Sequence, residues 1–359
     1  MKKKRVAVAM SGGVDSSVAI ALLQEQGYDI IGIHMKLADT SFEERQNKSC
    51  CSLDDALDAR AVCSRLKIPF YVIDFKEQFK KNVIDYFVQE YVDGRTPNPC
   101  IMCNMKIKNK FLLEKANELD CEYLATGHYA RIIEDPLKKR LQIVKPDDLY
   151  KDQTYFLYGT LSSELPKLLF PLADYSKPKV RQIAAQFGLV SAEKPDSQEI
   201  CFVPQNYRDF IANQLKDSPK PGNFVATSGE ILGEHQGIPY YTVGQRRGLG
   251  ISGSEPYYVI RLDKATNEIV VGHLEETYVS EFGVSQVNWV SIDPIQESID
   301  VTVKLRYSHL GTSAAVIPQS HNRVQVILKN PDRSVTPGQA AVFYHENILL
   351  GGGWIDFVK

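Results

Sequence analysis

The first part of the chain alternates short apolar runs with segments in which apolar residues recur every three or four positions. Four apolar runs are typical of buried parallel strands: residues 5–10, 29–35, 70–74 and 122–128. Four periodic segments predict helices: residues 18–26, 53–66, 79–88 and about 104–119. Strands that alternate with helices predict a doubly wound parallel sheet, which binds ligands at the carboxyl ends of its strands.

The pattern changes after His128. Residues 131–133 and 141–144 predict a hairpin, because two short apolar runs flank a polar segment. Residues 162–170 and 178–187 predict two further helices, separated by prolines. The regular alternation of strand and helix therefore ends here.

From Gly222 onward the chain is rich in glycine and has short alternating segments. From about Phe282 these segments are regular and separated by turn residues, which predicts an antiparallel barrel. We therefore predict an α/β fold, in which a doubly wound parallel sheet is followed by a small mixed central domain and a C-terminal antiparallel β-barrel. The predicted domains are residues 1–206, 207–274 and 275–359.

Composition narrows the class of protein without identifying it. The chain has 359 residues, of which 43% are hydrophobic and 24% charged, as in ordinary globular proteins. The net charge of -2 means that a nucleic-acid partner would need local basic patches. No apolar run approaches the roughly 18 residues of a membrane span, and no signal peptide is recognisable. With seven cysteines, an odd number, we expect a cytoplasmic protein without a membrane partner or a disulfide scaffold.

Residues 9–17 join the first predicted strand to the first predicted helix. At such a turn, backbone N–H groups and the positive end of the helix dipole face outward together and bind phosphate. Two glycines let the backbone approach an anion closely, and serine hydroxyls add donors. Asp15 is an unusual neighbour for phosphate unless it holds Mg²⁺ or caps the turn.

Two other phosphate-binding loops do not fit this stretch. A Walker loop ends in Gly-Lys-Ser/Thr, and no lysine follows Gly13. A dinucleotide fingerprint needs three spaced glycines, which Val14 and Ser16 exclude. The remaining Ser-Gly-Gly-x-Asp-Ser pattern is that of ATP pyrophosphatases, which adenylate a carbonyl oxygen and release pyrophosphate. The alternative is a glycine-rich turn with no ligand.

Cysteines mark two further stretches. Cys100 and Cys103 lie in residues 96–104, where two prolines precede a predicted helix start. A thiol at a helix N-terminus has its thiolate stabilised by the helix dipole. Taken alone, the Cys-x-x-Cys spacing fits a redox pair, half of a zinc site or plain packing. In the second stretch, residues 196–202, polar residues surround Cys201.

Six motifs follow one another along the chain. They are Ser-Gly-Gly-Val-Asp-Ser at 11–16, Asn-Pro-x-x-x-Cys-Asn at 98–104, Thr-Gly-His-Tyr-Ala at 126–130, Lys-Asp-Gln at 151–153, Asp-Ser-Gln-Glu-x-Cys-Phe at 196–202 and Gly-Gln-Arg-x-Gly-Leu at 244–249. This ordered set resembles the tRNA-specific 2-thiouridylases. The resemblance covers nearly the whole chain, and the set is far more specific than any one motif.

The resemblance implies a sulfurtransferase that thiolates carbon 2 of the wobble uridine of tRNA. ATP, with Mg²⁺, would adenylate the uracil oxygen, so that AMP becomes the leaving group. Persulfide sulfur, delivered by a cysteine desulfurase or a sulfur-relay protein, would then replace that oxygen. Cys201 would carry the persulfide and Cys103 would release the sulfur, which would leave a Cys103–Cys201 disulfide bond.

The resemblance also implies which residues act on each partner. Catalysis would involve Cys103, Cys201 and Asp15. The nucleotide would be bound by Ala9, Met10, Ser11, Gly12, Gly13, Val14, Asp15, Ser16, Met35 and Gly127. The tRNA would be contacted by Asn98, Pro99, Cys100, His128, Lys151, Asp152, Gln153, Arg306, Tyr307 and Gln339. The three predicted domains would then be an ATP-binding catalytic domain, a central linker domain and a tRNA-binding barrel.

One position departs from the family pattern, since the family usually has Asp where this chain has Cys100. Three thiolates, those of Cys100, Cys103 and Cys201, would leave one iron of a four-iron, four-sulfur cluster open to bind sulfide. The sequence thus offers a persulfide route without metal and, as the alternative, a cluster route. We favour the persulfide route, because the family's usual Asp makes the third thiol dispensable.

Two other functions share part of this sequence pattern. An ATP pyrophosphatase of the adenylating-ligase type would share residues 11–16 but would need neither Cys103 nor Cys201. An RNA-binding module with a vestigial nucleotide site would not need the intact loop. Neither rival accounts for the whole ordered set of motifs.

Overall fold

The computed structural model describes residues 3–38, 53–195, 200–203, 206–333 and 335–358 of the chain. Within these residues the strands form three sheets. In the described part of the chain, no helix has the length and apolar character to cross a membrane.

The first sheet is parallel and has five strands in the order β3-β2-β1-β4-β7. Its strands are β1 Arg5–Ala9, β2 Asp29–Lys36, β3 Phe70–Asp74, β4 Tyr123–Ala125 and β7 Leu168–Leu169. Successive side chains of β1 point to opposite faces, so Val6 and Val8 join one apolar cluster while Ala7 and Ala9 join another. Both faces of the sheet are therefore covered, which confirms the predicted doubly wound fold.

Besides short 3₁₀ turns, six α-helical or partly π-helical stretches accompany the sheets in the described residues. They are α1 Val14–Glu25, α2 Leu53–Arg65, α3 (Lys76–Phe79, Lys80–Ile84 and Asp85–Val92), α4 (Pro99–Met102, Cys103–Leu112 and Leu113–Glu118), α5 Lys177–Gln186 and α6 Tyr207–Gln214. The segments Lys80–Ile84 and Cys103–Leu112 are π-helical. π-Helical turns are rare and are found frequently at functional sites.

Three of the predicted elements differ from the structure. Residues 162–170 are not a helix, because they form a 3₁₀ turn at Leu165–Lys167 and then the edge strand β7. Helix α4 begins at Pro99 rather than near Asn104, since proline at a first helical position fits its fixed φ angle. Strand β4 covers only Tyr123–Ala125 of the predicted run, and a turn follows.

The second sheet is small and mixed, with the order β10-β11-β8-β9. Its strands are β8 Gly222–Ala226, β9 Ile231–His235, β10 Tyr258–Asp263 and β11 Glu268–Gly272. The pair β8–β11 is parallel and the other two pairs are antiparallel. This sheet agrees with the mixed unit that the sequence predicts.

The third sheet closes into an antiparallel barrel of six strands, because β12 pairs with both β15 and β17. The six strands are β12 Val279–Asn288, β13 Ile299–Lys304, β14 Thr312–Pro318, β15 Val324–Asp332, β16 Ala340–His345 and β17 Ile348–Val358. The predicted hairpin is present as β5 Arg131–Glu134 and β6 Leu141–Val144. Its strand β6 pairs with β17, so an early part of the chain extends the barrel sheet.

Candidate active site

The loop between β1 and α1 is held by its own serine hydroxyls. The Oγ of Ser16 and that of Ser17 donate to the carbonyl oxygen of Gly13, at 3.1 and 2.8 Å. The backbone N–H of Gly13 points at the Ser11 Oγ, 3.4 Å away. Ser16 and Ser17 are buried, whereas Ser11 is exposed. The loop therefore has a fixed shape and presents Ser11 to solvent at the start of the helix.

Asp15 does not cap the turn, since Gly13 is the N-cap residue of α1. Both carboxylate oxygens of Asp15 accept hydrogen bonds from the Nζ of Lys177, each at 2.8 Å. The hydroxyl of Tyr129 donates to the Asp15 Oδ1, also at 2.8 Å. Asp15 is thus fixed by two side chains from distant parts of the chain, and sequence reasoning missed both of these partners.

Two glycines of the site lie where the chain packs too closely for a side chain. Gly12 has φ +78°, and a Cβ there would run into the backbone of Asp55. A Cβ at Gly127, just after β4, would lie 2.8 Å from the backbone nitrogen of Ser16. The turn after β4 therefore lies directly against the loop after β1, as the parallel sheet predicts.

The arrangement fits an anionic ligand with phosphate groups. The loop follows the central strand β1, between β2 and β4, where the direction of the sheet order changes. Backbone N–H groups at a helix start together with serine hydroxyls suit phosphate oxygens. The loop is anchored in the core by the buried side chains of Ala9, Met10 and Val14. Met35, at the end of β2, is partly buried beside the same edge.

The Asn98–Cys103 segment starts helix α4. The Asn98 side chain caps the helix by accepting from the Ile101 N–H at 3.4 Å, and Pro99 is buried at the first turn. Cys100 is exposed in this first turn. Cys103 comes at the next turn, where the π-helical segment begins, and not at the helix start that the sequence predicts.

Cys103 and Cys201 share one apolar environment. Both pack, partly buried, against the cluster that includes Ala9 of β1 and Phe202. Burial raises the pKa of the Cys63 thiol to about 12 and that of Cys121 to about 11, so these two thiols are inert at neutral pH. Residues 196–199 of the Cys201 motif lie outside the described residues.

The three cysteines of the alternative cluster route are not assembled as a metal site. Among the residues that the structure describes, no group of three or more His, Cys, Asp or Glu side chains is placed to hold a metal ion. The ligand set of Cys100, Cys103 and Cys201 therefore remains a prediction.

His128 faces helix α4. Its Nε2 lies 3.4 Å from the Nζ of Lys108, and its Nδ1 lies 2.7 Å from the Oγ1 of Thr126. A lysine ammonium can only donate, so Nε2 is the acceptor and Nδ1 carries the proton. Burial lowers the pKa of His128 well below 6.5, and the charge of Lys108 lowers it further. His128 is thus a neutral residue at physiological pH.

The resemblance implies that Lys151, Asp152 and Gln153 contact tRNA, but Asp152 and Gln153 form hydrogen bonds within the protein. The Asp152 carboxylate is buried and accepts from the backbone N–H and the hydroxyl of Thr154, at 2.9 and 2.6 Å. The Gln153 Oε1 accepts from the Tyr129 N–H at 3.0 Å. Next to them Tyr150 is 98% exposed, a surface aromatic residue that the motif comparison did not single out.

On the barrel, Arg306 and Tyr307 are exposed at the end of β13. The Tyr307 ring packs on that of Phe156, with 4.5 Å between the centroids. Lys304, which the sequence analysis also missed, places its Nζ 3.8 Å from the Asp152 carboxylate. Burial lowers the pKa of Lys304, although Asp152 acts in the opposite direction. These contacts join the barrel to the Lys151–Gln153 segment.

The side chain of Gln339 forms hydrogen bonds within the protein. Its Nε2 donates to the backbone carbonyl oxygens of Thr96 and Pro97, at 3.0 and 3.4 Å, so it fixes the barrel to the approach of helix α4. Beside it lies a cleft of about 420 Å³, to which Arg306 and Arg333 contribute positive charge. This cleft runs between the barrel, the mixed sheet and residues just before Asn98.

Comparison with known proteins identifies the family. Three family profiles match in succession: "tRNA methyl transferase HUP domain" at residues 4–205, "tRNA methyl transferase PRC-barrel domain" at 208–273 and "Aminomethyltransferase beta-barrel domain" at 279–355. Their order agrees with that of the three sheets.

Relatives that match the chain over its full length define the family more narrowly than these profiles do. The chain is 47% identical to the tRNA-specific 2-thiouridylase MnmA of Clostridium beijerinckii, with 99% of each chain covered. It is 48% identical to the protein of the same name from Acetivibrio thermocellus, over 99% of this chain and 100% of that one. A solved 4-thiouridine synthetase–RNA complex with bound ATP has a TM-score of 0.37 and 16% identity, over 59% of this chain and 50% of that chain, too weak a likeness to carry an argument. On the strength of the full-length relatives, the chain belongs to the family of tRNA-specific 2-thiouridylases.

Proposed function

We propose that this protein forms 2-thiouridine at the wobble position of tRNA in an ATP-dependent reaction. The observation that carries the proposal is that the residue before the phosphate loop and two cysteines pack in the same apolar cluster. Ala9, directly before the loop, belongs to that cluster, and Met35, Cys103 and Cys201 pack against it. An adenylation followed by sulfur transfer requires a nucleotide site and two thiols within reach of the same base.

In the first step the uracil O2 attacks the α-phosphorus of ATP. An O–P bond forms, the bond to the β-phosphate breaks, and pyrophosphate leaves. The loop around Gly12 and Gly13 and the hydroxyl of Ser11 would hold the phosphates. Mg²⁺ would bind the phosphates and would balance their negative charge, while both carboxylate oxygens of Asp15 are engaged by Lys177. Carbon 2 then carries AMP as a good leaving group.

In the second step the terminal sulfur of a Cys201 persulfide attacks carbon 2, and AMP leaves. The nucleoside is then attached to Cys201 through a disulfide. The Cys103 thiolate attacks the Cys201 sulfur, which releases the 2-thiouridine and forms a Cys103–Cys201 disulfide. An external thiol reduces this disulfide, and a persulfide donor, such as a cysteine desulfurase or its relay protein, reloads Cys201.

The tRNA would lie over the cations near the barrel. The partly exposed Lys151 and the exposed Arg306 offer charge for phosphate groups, and the exposed ring of Tyr150 offers a stacking surface. Asn98, Pro99 and Cys100 would meet the target base once it leaves its stack. Intramolecular hydrogen bonds already engage the side chains of Asp152, Gln153 and Gln339. We therefore assign these residues the task of shaping the surface that tRNA would contact. His128 would approach the base as a neutral side chain.

This assignment gives each predicted domain a task. Residues 1–206 would bind ATP and carry out the chemistry, residues 207–274 would serve as the central linker, and residues 275–359 would dock tRNA. The β5–β6 hairpin, which extends the barrel sheet, would keep the catalytic part and the docking part in a fixed relation.

The test is reconstitution of the reaction with purified protein, ATP, unmodified tRNA and a persulfide donor. Mass spectrometry of the digested tRNA should show 2-thiouridine only when all components are present, together with pyrophosphate release. An adenylating ligase would release pyrophosphate without forming 2-thiouridine, and a vestigial RNA-binding module would do neither. Either of those results would overturn the proposal.

A further inference from the structure

The ion pair between Asp15 and Lys177 joins two parts of the chain that are 162 positions apart. Only 10% of the Lys177 side chain is exposed, against 32% for that of Asp15. Lys177 also lies 5.9 Å from the centroid of the Tyr129 ring, and Tyr129 is itself buried. A lysine held in this way has given up most of its hydration and is in direct contact with a carboxylate.

The position of Lys177 in its helix is unfavourable for a cation. Lys177 is the first residue of α5, where the helix dipole places partial positive charge. Its backbone N–H donates to the Asp148 Oδ2 at 3.0 Å, which fixes this helix start. Helix stability therefore does not account for a lysine at this position, whereas the carboxylate of Asp15 does.

We propose that Lys177 is a positioning residue, which neutralises Asp15 and holds it to one side so that the loop accepts a triphosphate. The inference rests on the proposed function, because it takes the loop to be the ATP site. Without a cation, the Asp15 carboxylate would repel the phosphates at the start of α1. Lys177 would thus act through Asp15 rather than by touching the nucleotide.

Tyr129 completes the arrangement. Its hydroxyl donates to one oxygen of Asp15, while its backbone is tied to Gln153 in both directions, at 3.0 and 3.1 Å. With Lys177 bound to both oxygens, three donor contacts fix the carboxylate. An Asp15 held in this way is oriented before any ligand arrives, so binding does not have to order it.

The experiment measures binding of α,β-methylene ATP, which cannot release pyrophosphate, to the full-length protein by calorimetry. We expect Lys177→Met to weaken binding by at least about tenfold, because a carboxylate without its cation then faces the phosphates. The double variant Asp15→Asn/Lys177→Met should bind at least about fivefold more tightly than Lys177→Met alone, because it removes the charge that repels. Lys179→Met is the matched control, an exposed lysine on the same helix, and should bind like the unchanged protein.

Measurements with Mg²⁺ and with a chelator separate any metal held by Asp15 from the charge effect. If Lys177→Met binds normally, or if the double variant is as weak as Lys177→Met under both conditions, the inference is wrong; the latter result would mean that Lys177 contacts the phosphates. Should Lys177→Met fail to fold in a thermal melt, Lys177→Gln, which keeps a donor, replaces it in both comparisons. If the unchanged protein does not bind the analogue at all, it is the proposed function that fails.

Discussion

At the phosphate loop, a hydroxyl group and an ammonium group from two distant parts of the chain meet on one carboxylate, whereas Cys103 and Cys201 lie against an apolar cluster. Hydrogen bonds are directional, so the loop and Asp15 have one defined geometry. Apolar packing is not directional, so the cluster shields part of each cysteine side chain from water without itself setting a direction.

This difference matches what each half of the proposed reaction needs. Adenylation stabilises charge on phosphate oxygens, which favours donors that are oriented in advance. Sulfur transfer needs sulfur atoms that approach one another in turn and an attacking thiol that can ionise to the thiolate. We call the first region the nucleotide end and the second, around Cys103 and Cys201, the thiol end. Variants at each end test whether the two ends act independently of each other.

The largest effect should come from the thiol end alone. Cys201→Ser should lower 2-thiouridine formation by roughly 10⁴-fold or more, since a hydroxyl cannot carry persulfide sulfur. Pyrophosphate release in the presence of tRNA should continue, because the nucleotide end is intact. Cys63→Ser, at a buried and inert thiol, is the control for loss of a cysteine. If Cys201→Ser abolished pyrophosphate release in a folded protein, the separation of the two ends would be wrong.

A second test addresses the ion pairs that link Lys194 to helix α2. The Nζ of Lys194, which precedes the Cys201 motif, lies 2.6 Å from carboxylate oxygens of both Asp55 and Asp58 on α2. Lys194→Met should destabilise the protein by about 1–2 kcal/mol, because it leaves the buried Asp55 carboxylate without this cation. The melting temperature should fall by a few degrees, while Lys194→Arg stays close to the unchanged protein. An unchanged melt for Lys194→Met would show that this link contributes nothing.

Cys100 gives a smaller effect if the persulfide route is correct. Its thiol is exposed, so Cys100→Ala should change 2-thiouridine formation by only about twofold, or within 0.5 kcal/mol. The measurement is made on protein purified without oxygen, together with iron analysis and a visible spectrum. Stoichiometric iron and thiolation that are both lost in Cys100→Ala would support the cluster route instead.

The smallest predicted effect is a pH dependence of stability. Burial lowers the pKa of His128 below its ordinary value of 6.5, so the unfolded chain takes up a proton at a higher pH than the folded one. Stability should therefore be full above pH 6.5 and should decrease as the pH falls through that value. His235 acts in the same direction. His128→Gln should show a shallower decrease of melting temperature between pH 7 and pH 5, and an identical slope would contradict this assignment.

The sequence predicted those features that depend on neighbouring residues. The apolar runs identified β1 to β4, and the glycines and serines of residues 11–16 identified the phosphate loop, because a strand, a turn and a helix start are local patterns. Residues 162–170 were misread as a helix, since a short apolar run can be either a helix or an edge strand until its neighbours are known.

Contacts between residues that lie far apart in the chain could not be predicted from local sequence patterns. Nothing near Lys177 in the sequence indicates that its charge belongs to Asp15, and nothing near Gln339 indicates that its amide binds Thr96 and Pro97. The motif comparison suggested which residues matter, but not whether a polar group faces a ligand or the protein itself. That distinction needs the tertiary structure, because it depends on what occupies the space around each side chain.

The pairing of the β5–β6 hairpin with β17 has a consequence for biosynthesis. The neighbouring contact, from the Nζ of Lys145 to the carbonyl of Glu346, spans 201 positions of the chain. During translation the hairpin must therefore wait, with an unpaired strand edge, until β17 has left the ribosome. Contacts of such long range also slow folding, because the entropy of closing the loop is lost before the contact forms. A nascent chain that stalls before β17 would expose this edge to other chains. The hairpin is therefore a segment that a chaperone would need to cover.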